Sequence, residues 1–218
     1  MVNFTQRYYD LEKKIKERVP GFKICFKDES TLMKLIGKIL FFNKGFMTRY
    51  TTTIGKRVYF PSKKKFEENP GRYYHTLAHE YVHVMDYVRH PVIFIIGYMK
   101  PQLIAILSLL SFLAFINPYF LLFLLALLFL APIPSPYRTW AELRGYGMNC
   151  KVRLWHGETI SQERLNYSAD AFITSAYYFM CPFRKWVMKK LKKWADPNDN
   201  SCLLDKNPAF KDVHDLIT

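Results

Sequence analysis

Two histidines and a glutamate stand within five consecutive residues, in the order His79-Glu80-Tyr81-Val82-His83. Four residues are about one turn of an α-helix, so both imidazoles would project from one face and bind the same metal ion. Zinc accepts neutral imidazole nitrogens and keeps one coordination position open for water in hydrolytic sites. A zinc ion lowers the pKa of such a water towards about 7, and Glu80 would stand beside it and take its proton. The pattern predicts a hydrolytic zinc site.

A third protein ligand must come from another part of the chain, and several residues compete for that place. Glu142 lies in a separate stretch of helical character and would supply a carboxylate from a second helix. Asp86, His90 and His156 are the alternatives. Asp86, with its short side chain, is better suited to orienting His83 from behind than to binding the ion. We favour Glu142 as the third ligand.

The polar residues that would stabilise the transition state of hydrolysis are less well defined. An oxyanion formed on a peptide carbonyl needs a hydrogen-bond donor, which contributes a few kcal/mol. Five side chains are candidates, each of which also has an ordinary structural explanation: Arg144, Tyr146, His156, Tyr177 and Tyr178.

The run HTLAHEYVHVMDY, followed by a helix carrying AELRGY, resembles the gluzincin group of zinc metallopeptidases, including its minimal versions. The resemblance implies that His79 and His83 are ligands, Glu80 is the base and Glu142 is the third ligand. It also implies that the strand before the motif helix lines the cleft and pairs with an extended substrate. The residues of that strand edge would be Thr52, Thr53, Ile54 and Gly55. Membrane-embedded gluzincins typically have an aspartate four residues after the third ligand, where this chain has Tyr146.

Residues 92–134 are almost entirely apolar and form what we call the apolar insertion. Lys100-Pro101 and Asn117-Pro118 divide it, and as α-helices residues 102–116 and 119–131 would be about 22 and 20 Å long. A helix that crosses a bilayer needs about 20 apolar residues. If Glu142 and the histidines share one ion, both ends of the insertion lie on the same side of a membrane. We therefore expect a helical hairpin that either spans the bilayer or re-enters it.

Basic residues give the chain a formal net charge of +14, which favours an anionic partner surface. Lysines and arginines flank the apolar insertion, and in a cell membrane this bias would place the zinc domain on the cytoplasmic side. Residues 183–195 combine two tryptophans with a lysine-rich face, as expected of a helix that lies among lipid headgroups. The alternative is a solvated face over an ordinary core contact. Lipid is favoured over nucleic acid, because no recognised nucleic-acid fold accompanies the charge.

The cysteines and the N-terminus exclude other classes. The four cysteines lie far apart without a Cys-x-x-Cys pair, so neither a cysteine zinc site nor a disulfide scaffold is expected. The first 21 residues are amphipathic and charged and contain no apolar core of a cleavable signal.

We expect a mainly helical α+β fold: a zincin-like domain with a small sheet edge, interrupted by the apolar insertion. Its parts would be residues 1–91, 92–134 and 135–218. Helices are predicted at residues 4–19, 30–42, 72–89, 139–153, 161–180 and 183–195, one or two strands at 46–61, a loop at 62–71 and an irregular tail after 196. The predicted function is a membrane-associated zinc peptidase acting on peptide or protein substrates. The alternatives are a non-catalytic binding or structural protein with the same fold, as in a virion or membrane complex, and a soluble peptidase whose insertion packs inside an oligomer.

Overall fold

The computed structural model describes residues 2–40, 43, 45–131, 133–174 and 179–218. It confirms a mainly helical chain with a small sheet. The α-helices of the described residues are α1 (Phe4–Arg18), α2 (Thr31–Ile39), α3 (Lys63–Glu68), α4 (Tyr74–Arg89), α5 (Pro91–Met99), α6 (Pro136–Trp155), α7 (Gln162–Ile173), α8 (Arg184–Trp194) and α9 (Ala209–Ile217). The strands are β1 (Lys23–Phe26), β2 (Thr52–Ile54) and β3 (Arg57–Phe60), and 3₁₀ helices occupy Pro70–Tyr73, Gln102–Phe115, Pro118–Leu130 and Ser201–Leu204.

Helix α4 is the central element of the fold. Ten of its residues, Tyr74 and Leu77–Met85, are buried, so this helix is covered on all sides. Helix α1 packs on it with Tyr8, Leu11 and Ile15, which share one face at helical spacing. Met148 and Val152 of α6 and Phe210 of α9 complete the same core. The segments before and after the apolar insertion therefore share one hydrophobic core.

The sheet has the order β1-β3-β2, with β1 parallel and β2 antiparallel to β3. Thr53 pairs with Val58 in the β2–β3 hairpin, and Gly55 begins its two-residue turn with a φ of 62°. A positive φ favours glycine because it has no Cβ. Strand β2 lies at the edge of the sheet, so no other strand among the described residues pairs with one side of its backbone. Gly55, predicted as part of the substrate edge, lies in the turn instead.

Two predicted irregular segments are helical. Residues 62–71 contain α3, whose Phe66 packs among Phe26, Phe60 and Tyr73, and the tail contains α9. These short segments gain their stability from tertiary contacts, which local propensity does not report. Strand β1 was not predicted, because a four-residue strand that pairs in parallel with a distant partner leaves little local signal. The predicted ends at 41–42 and 175–178 lie outside the described residues.

The apolar insertion consists of α5 and two 3₁₀ arms, Gln102–Phe115 and Pro118–Leu130, which pack against each other. The prediction of α-helical arms was wrong. The first arm has only three polar side chains, Gln102, Ser108 and Ser111, and their spacing of six and three residues does not favour a period of 3.6 over one of 3.0. The second arm is apolar apart from Tyr119. No single helix among the described residues is both long and apolar enough to cross a membrane, although α5 and the first arm together meet that test with a bend of 80°.

Helix α8 uses most of its apolar face inside the protein. Val187 and Leu191 are fully buried in a second core with α6 and α7, and Trp194 stacks on Phe210 with ring centroids 5.4 Å apart. Phe183 and Trp186 remain exposed. Only these two exposed aromatic side chains and the lysine face therefore still support the prediction that this helix lies among lipid headgroups.

Candidate metal centre

Helices α4 and α6 bring three potential ligands together. His79 and His83 lie one turn apart on α4, with their Nε2 atoms 3.1 Å from each other. Glu142 on α6 places Oε2 at 3.3 Å from Nε2 of His79 and Oε1 at 3.6 Å from Nε2 of His83. All three residues are buried, with exposed fractions of 2–6%. Among the described residues this is the only His, Cys, Asp and Glu group whose ligand atoms converge within 4.8 Å.

The spacing of these atoms matches that of a small tetrahedral ion. Zinc binds imidazole nitrogen at about 2.0–2.1 Å and carboxylate oxygen at about 2.0–2.2 Å, so ligand atoms in a tetrahedron are about 3.3–3.5 Å apart. The separations between the two Nε2 atoms (3.1 Å), between Oε2 of Glu142 and His79 (3.3 Å) and between Oε1 of Glu142 and His83 (3.6 Å) are close to that edge length. Oε2 of Glu142 is buried and has no hydrogen-bond partner among the described residues. The geometry and donor set therefore fit a metal ion.

Buried charges at this place stabilise one another. Burial alone would raise the pKa of Glu142, but the rings of His83 and His79 hold it well below its usual range. Burial opposes the charged form of His83, yet the carboxylates of Glu142, Glu80 and Asp86 raise its pKa above the ordinary value. Each group of this imidazole–carboxylate pair therefore favours the charged form of the other, at the place where a cation would bind.

Glu80, the predicted base, is held by strand β2. The hydroxyl of Thr53 donates to Oε2 of Glu80 at 2.7 Å, so this strand residue contacts the base directly. Lys27 is fully buried nearby, and its ammonium group donates to the carbonyl of Phe46 at 2.7 Å. Burial lowers the pKa of Lys27 to about 8, and the field of Glu80 partly opposes this shift. The hydrogen bond from Thr53 to Glu80 and the burial of Lys27 were not predicted, since both depend on contacts between distant parts of the chain.

Two residues of α6 shape the surroundings of His79. The side-chain amide of Asn149 lies 3.3 Å from Nδ1 of His79. A metal bound at Nε2 of His79 would leave the ring proton on Nδ1. Turning the side-chain amide of Asn149 by 180° would bring its Oδ1 to accept that proton in a hydrogen bond. This oxygen has no partner among the described residues. A Cβ atom at Gly145 would come within 2.5 Å of Nε2 of His79, so glycine makes room for the ring. Gly145 and Asn149 follow Glu142 by three and seven residues, which places all three on one face of α6. This spacing could have identified both residues from the sequence.

Helix α5 forms another wall of the site. The hydroxyl of Tyr98 donates to Oε1 of Glu142 at 2.6 Å. Phe94 and Tyr98 stack with their centroids 5.6 Å apart, and each ring lies about 6 Å from that of His83 (6.2 and 6.3 Å). Sequence reasoning treated the apolar insertion only as a membrane segment, so these contacts were missed.

The other third-ligand candidates lie apart from the converging atoms. His90 is exposed at the end of α4, and Nε2 of His156 lies 3.4 Å from the hydroxyl of Tyr74. Asp86 accepts hydrogen bonds from Arg144 at 2.6 and 2.7 Å, while Nδ1 of His83 has no partner in the part of the chain that the structure describes. Asp86 therefore pairs with Arg144, and no hydrogen bond from His83 to Asp86 is found among the described residues. Near the end of α4, the long side chain of Arg144 reaches the carboxylate of Asp86.

The oxyanion candidates are placed differently. Arg144 forms ion pairs with Asp86 and Asp205. The ring of Tyr146 lies edge-on to that of His79 at 5.3 Å. Tyr177 and Tyr178 lie outside the described residues.

Comparison with protein-family models, with curated proteins and with solved structures finds no match to this chain. What the site does must be inferred from its own side chains: two imidazoles and a carboxylate that converge, and a second carboxylate beside them.

Proposed function

We propose that this chain is a zinc-dependent peptidase that works at a membrane surface. The observation that carries the proposal is the convergence of His79, His83 and Glu142 at separations typical of tetrahedral zinc, with Glu80 left outside the ligand set. A helix with His-Glu-x-x-His and a carboxylate from a second helix also supports a zincin-like fold.

Zinc bound here would supply Lewis acidity, which activates a water molecule and polarises a carbonyl oxygen. Glu80 takes the proton of that water on Oε1, since Oε2 accepts the hydroxyl of Thr53. The same carboxyl then delivers the proton to the departing amine. The unpaired edge of β2, which carries Thr53, gives an extended peptide a strand to pair with.

Membrane association is supported by the surface of the apolar insertion. Its side chains are largely exposed, and among its described residues only Phe94, Ala105 and Ala126 are buried. An apolar surface of this extent is typical of contact with lipid or with another protein. The chain returns from it beside its starting point, because a Cβ at Gly97 would come within 2.6 Å of the ring of Tyr137. This proximity supports placing both flanks on one side of a bilayer, which the basic residues make the cytoplasmic side in a cell.

A non-catalytic zinc protein is the second reading. A purely structural zinc site normally closes its coordination with four protein ligands. Three converge here among the described residues, and the nearby Glu80 is hydrogen-bonded to a hydroxyl rather than to a cation. Both features favour catalysis.

Replacing Glu80 with Gln tests the proposal. The amide keeps an acceptor for Thr53 but cannot take a proton, so hydrolysis should fall by about 10²–10⁴-fold while one zinc per chain is retained. Cleavage of a mixed library of unstructured peptides, read by mass spectrometry beside metal analysis, measures both. Glu67→Gln, at an exposed position on α3, is the matched control and should behave as wild type. Zinc-loaded wild type without hydrolysis, or E80Q with full activity, would overturn the peptidase proposal.

A further inference from the structure

The apolar insertion contributes a side chain to the metal centre itself. Tyr98 is the second-last residue of α5, and its hydroxyl lies 2.6 Å from Oε1 of Glu142. Charge-assisted hydrogen bonds of this length are among the stronger ones in proteins. The second core-facing aromatic of α5, Phe94, packs between Tyr98 and the ring of Tyr87. The first helix of the insertion is therefore part of the wall around the ligands.

The two oxygens of Glu142 have different surroundings. Oε1 accepts the Tyr98 hydroxyl and lies 3.6 Å from Nε2 of His83, whereas Oε2 has no hydrogen-bond partner among the described residues and lies 3.3 Å from Nε2 of His79. A hydrogen bond to one oxygen reduces the electron density that this oxygen can donate to a cation and fixes the plane of the carboxylate. Oε2, which accepts no hydrogen bond, is then the stronger donor to an ion.

The end of α5 is fastened to the start of α6. The guanidinium of Arg138 donates to the backbone carbonyl of Tyr98 at 3.0 and 2.8 Å and to Oε1 of Gln102 at 2.9 Å. Arg138 lies one helical turn before Glu142 on α6. The same arginine thus connects the helix that carries the metal ligand, the helix that carries Tyr98 and the first arm of the insertion.

We propose that Tyr98 is a positioning residue that makes Glu142 a one-oxygen ligand through Oε2 and couples the conformation of the apolar insertion to metal affinity. A shift of α5 or of the first arm moves the hydroxyl away from Oε1 and releases the carboxylate to rotate. The proposal rests on the metal site of the proposed function and is independent of peptide hydrolysis.

The test compares Tyr98→Phe with Tyr119→Phe in the full chain in detergent micelles. Tyr119 belongs to the same insertion and is 76% exposed, so its variant controls for loss of a tyrosine hydroxyl. Zinc affinity, measured by competition with a chromophoric chelator at fixed pH, should fall about 10–100-fold in Y98F, as for other partners of metal ligands. It should stay within about twofold of wild type in Y119F, a change too small for the loss of such a partner.

A spectroscopic readout separates positioning from a general loss of structure. With Co²⁺ in place of zinc, rotation of Glu142 to two-oxygen binding raises the coordination number, so the visible absorption bands of Y98F should weaken and shift relative to wild type. The circular dichroism of metal-free Y98F should match that of metal-free wild type.

Arg138→Ala provides a second, independent variant. Because Arg138 acts through Tyr98, the losses of zinc affinity in R138A and Y98F should not add in the double variant. Fully additive losses would overturn the coupling, and Y98F with the zinc affinity and Co²⁺ spectrum of wild type would overturn the positioning role. A wild type that binds zinc but hydrolyses nothing removes only the peptidase proposal, whereas a wild type that binds no zinc overturns both.

Discussion

Two glycines on α6, Gly145 and Gly147, make room for different side chains. A methyl group at Gly145 would meet the ring of His79, with its nearest atom, Nε2, at 2.5 Å. We expect Gly145→Ala to displace the ring and weaken zinc binding on the order of tenfold or more, because ligand geometry sets affinity. The measurement is the zinc dissociation constant of the purified variant. Alanine is the better helix former by about 1 kcal/mol, so propensity does not oppose the change.

Gly147→Ala is the control for this substitution. Its Cβ would collide with the indole of Trp194, in the core rather than at the ligands. Overpacking of this kind typically costs about 1–3 kcal/mol. G147A should therefore unfold at lower denaturant concentration and keep its zinc affinity. Equal zinc affinity in G145A and wild type would show that the ring does not need this space.

A site residue could be predicted from the sequence when its role depends on residues close to it along the chain. His79, Glu80 and His83 are defined by a helical spacing that five residues contain in full. Glu142 required only a second helix with a carboxylate in it. Tyr98 could not be predicted, because its position depends on how α5 folds back from α4 over the ligands.

At the scale of elements, the second arm of the insertion tests the membrane proposal. Leu122, Leu125 and Leu128 are 61–67% exposed and three residues apart, which aligns them on one face of a 3₁₀ helix. We expect wild type to stay with the membrane pellet after an alkaline carbonate wash. Replacing all three leucines with arginine, which stays charged in the alkaline wash, should shift the protein towards the supernatant, because charged side chains in the hydrocarbon core are costly.

These three side chains contribute little to the protein core, so the triple variant should keep its zinc content. Zinc analysis of the released fraction checks that the fold has survived. Wild type that is released by the wash would favour a soluble assembly in which the insertion packs against other copies.

The elements that were predicted correctly are those with an amphipathic period and a recognisable end. Helix α1 has both, with Asn3 as its cap and Pro20 beyond its last turn. The arms of the insertion have no period to read, and β1 and α9 are stabilised by partners far along the chain. Tertiary packing, which the linear pattern does not contain, decides such segments.

At the scale of the whole molecule, His75 makes the fold sensitive to acid. Burial lowers its pKa to about 3, and the positive charges of Arg153, His156 and Arg164 add to this shift. Its Nδ1 has no hydrogen-bond partner among the described residues, and its ring lies edge-on to Phe4 at 5.4 Å. The unfolded chain takes up the proton at about pH 6.5, so the stabilisation is present above that pH and is lost as the pH falls towards 3.

We expect His75→Gln to lose less stability than wild type between pH 6.5 and 4. Urea unfolding of the metal-free proteins at several pH values measures this, since the remaining titrating groups are common to both chains. Parallel curves for H75Q and wild type would contradict a buried neutral imidazole at position 75.

On the proposed function, the order of the metal ligands along the chain determines when the site can form during synthesis. His79 and His83 leave the ribosome first, the apolar insertion follows, and Glu142 comes last. The carboxylate reaches the imidazoles only after α5 has folded back and both arms have been synthesised. A nascent chain would then have no peptidase activity until its apolar insertion has folded in the membrane, which would protect other newly made proteins from premature cleavage.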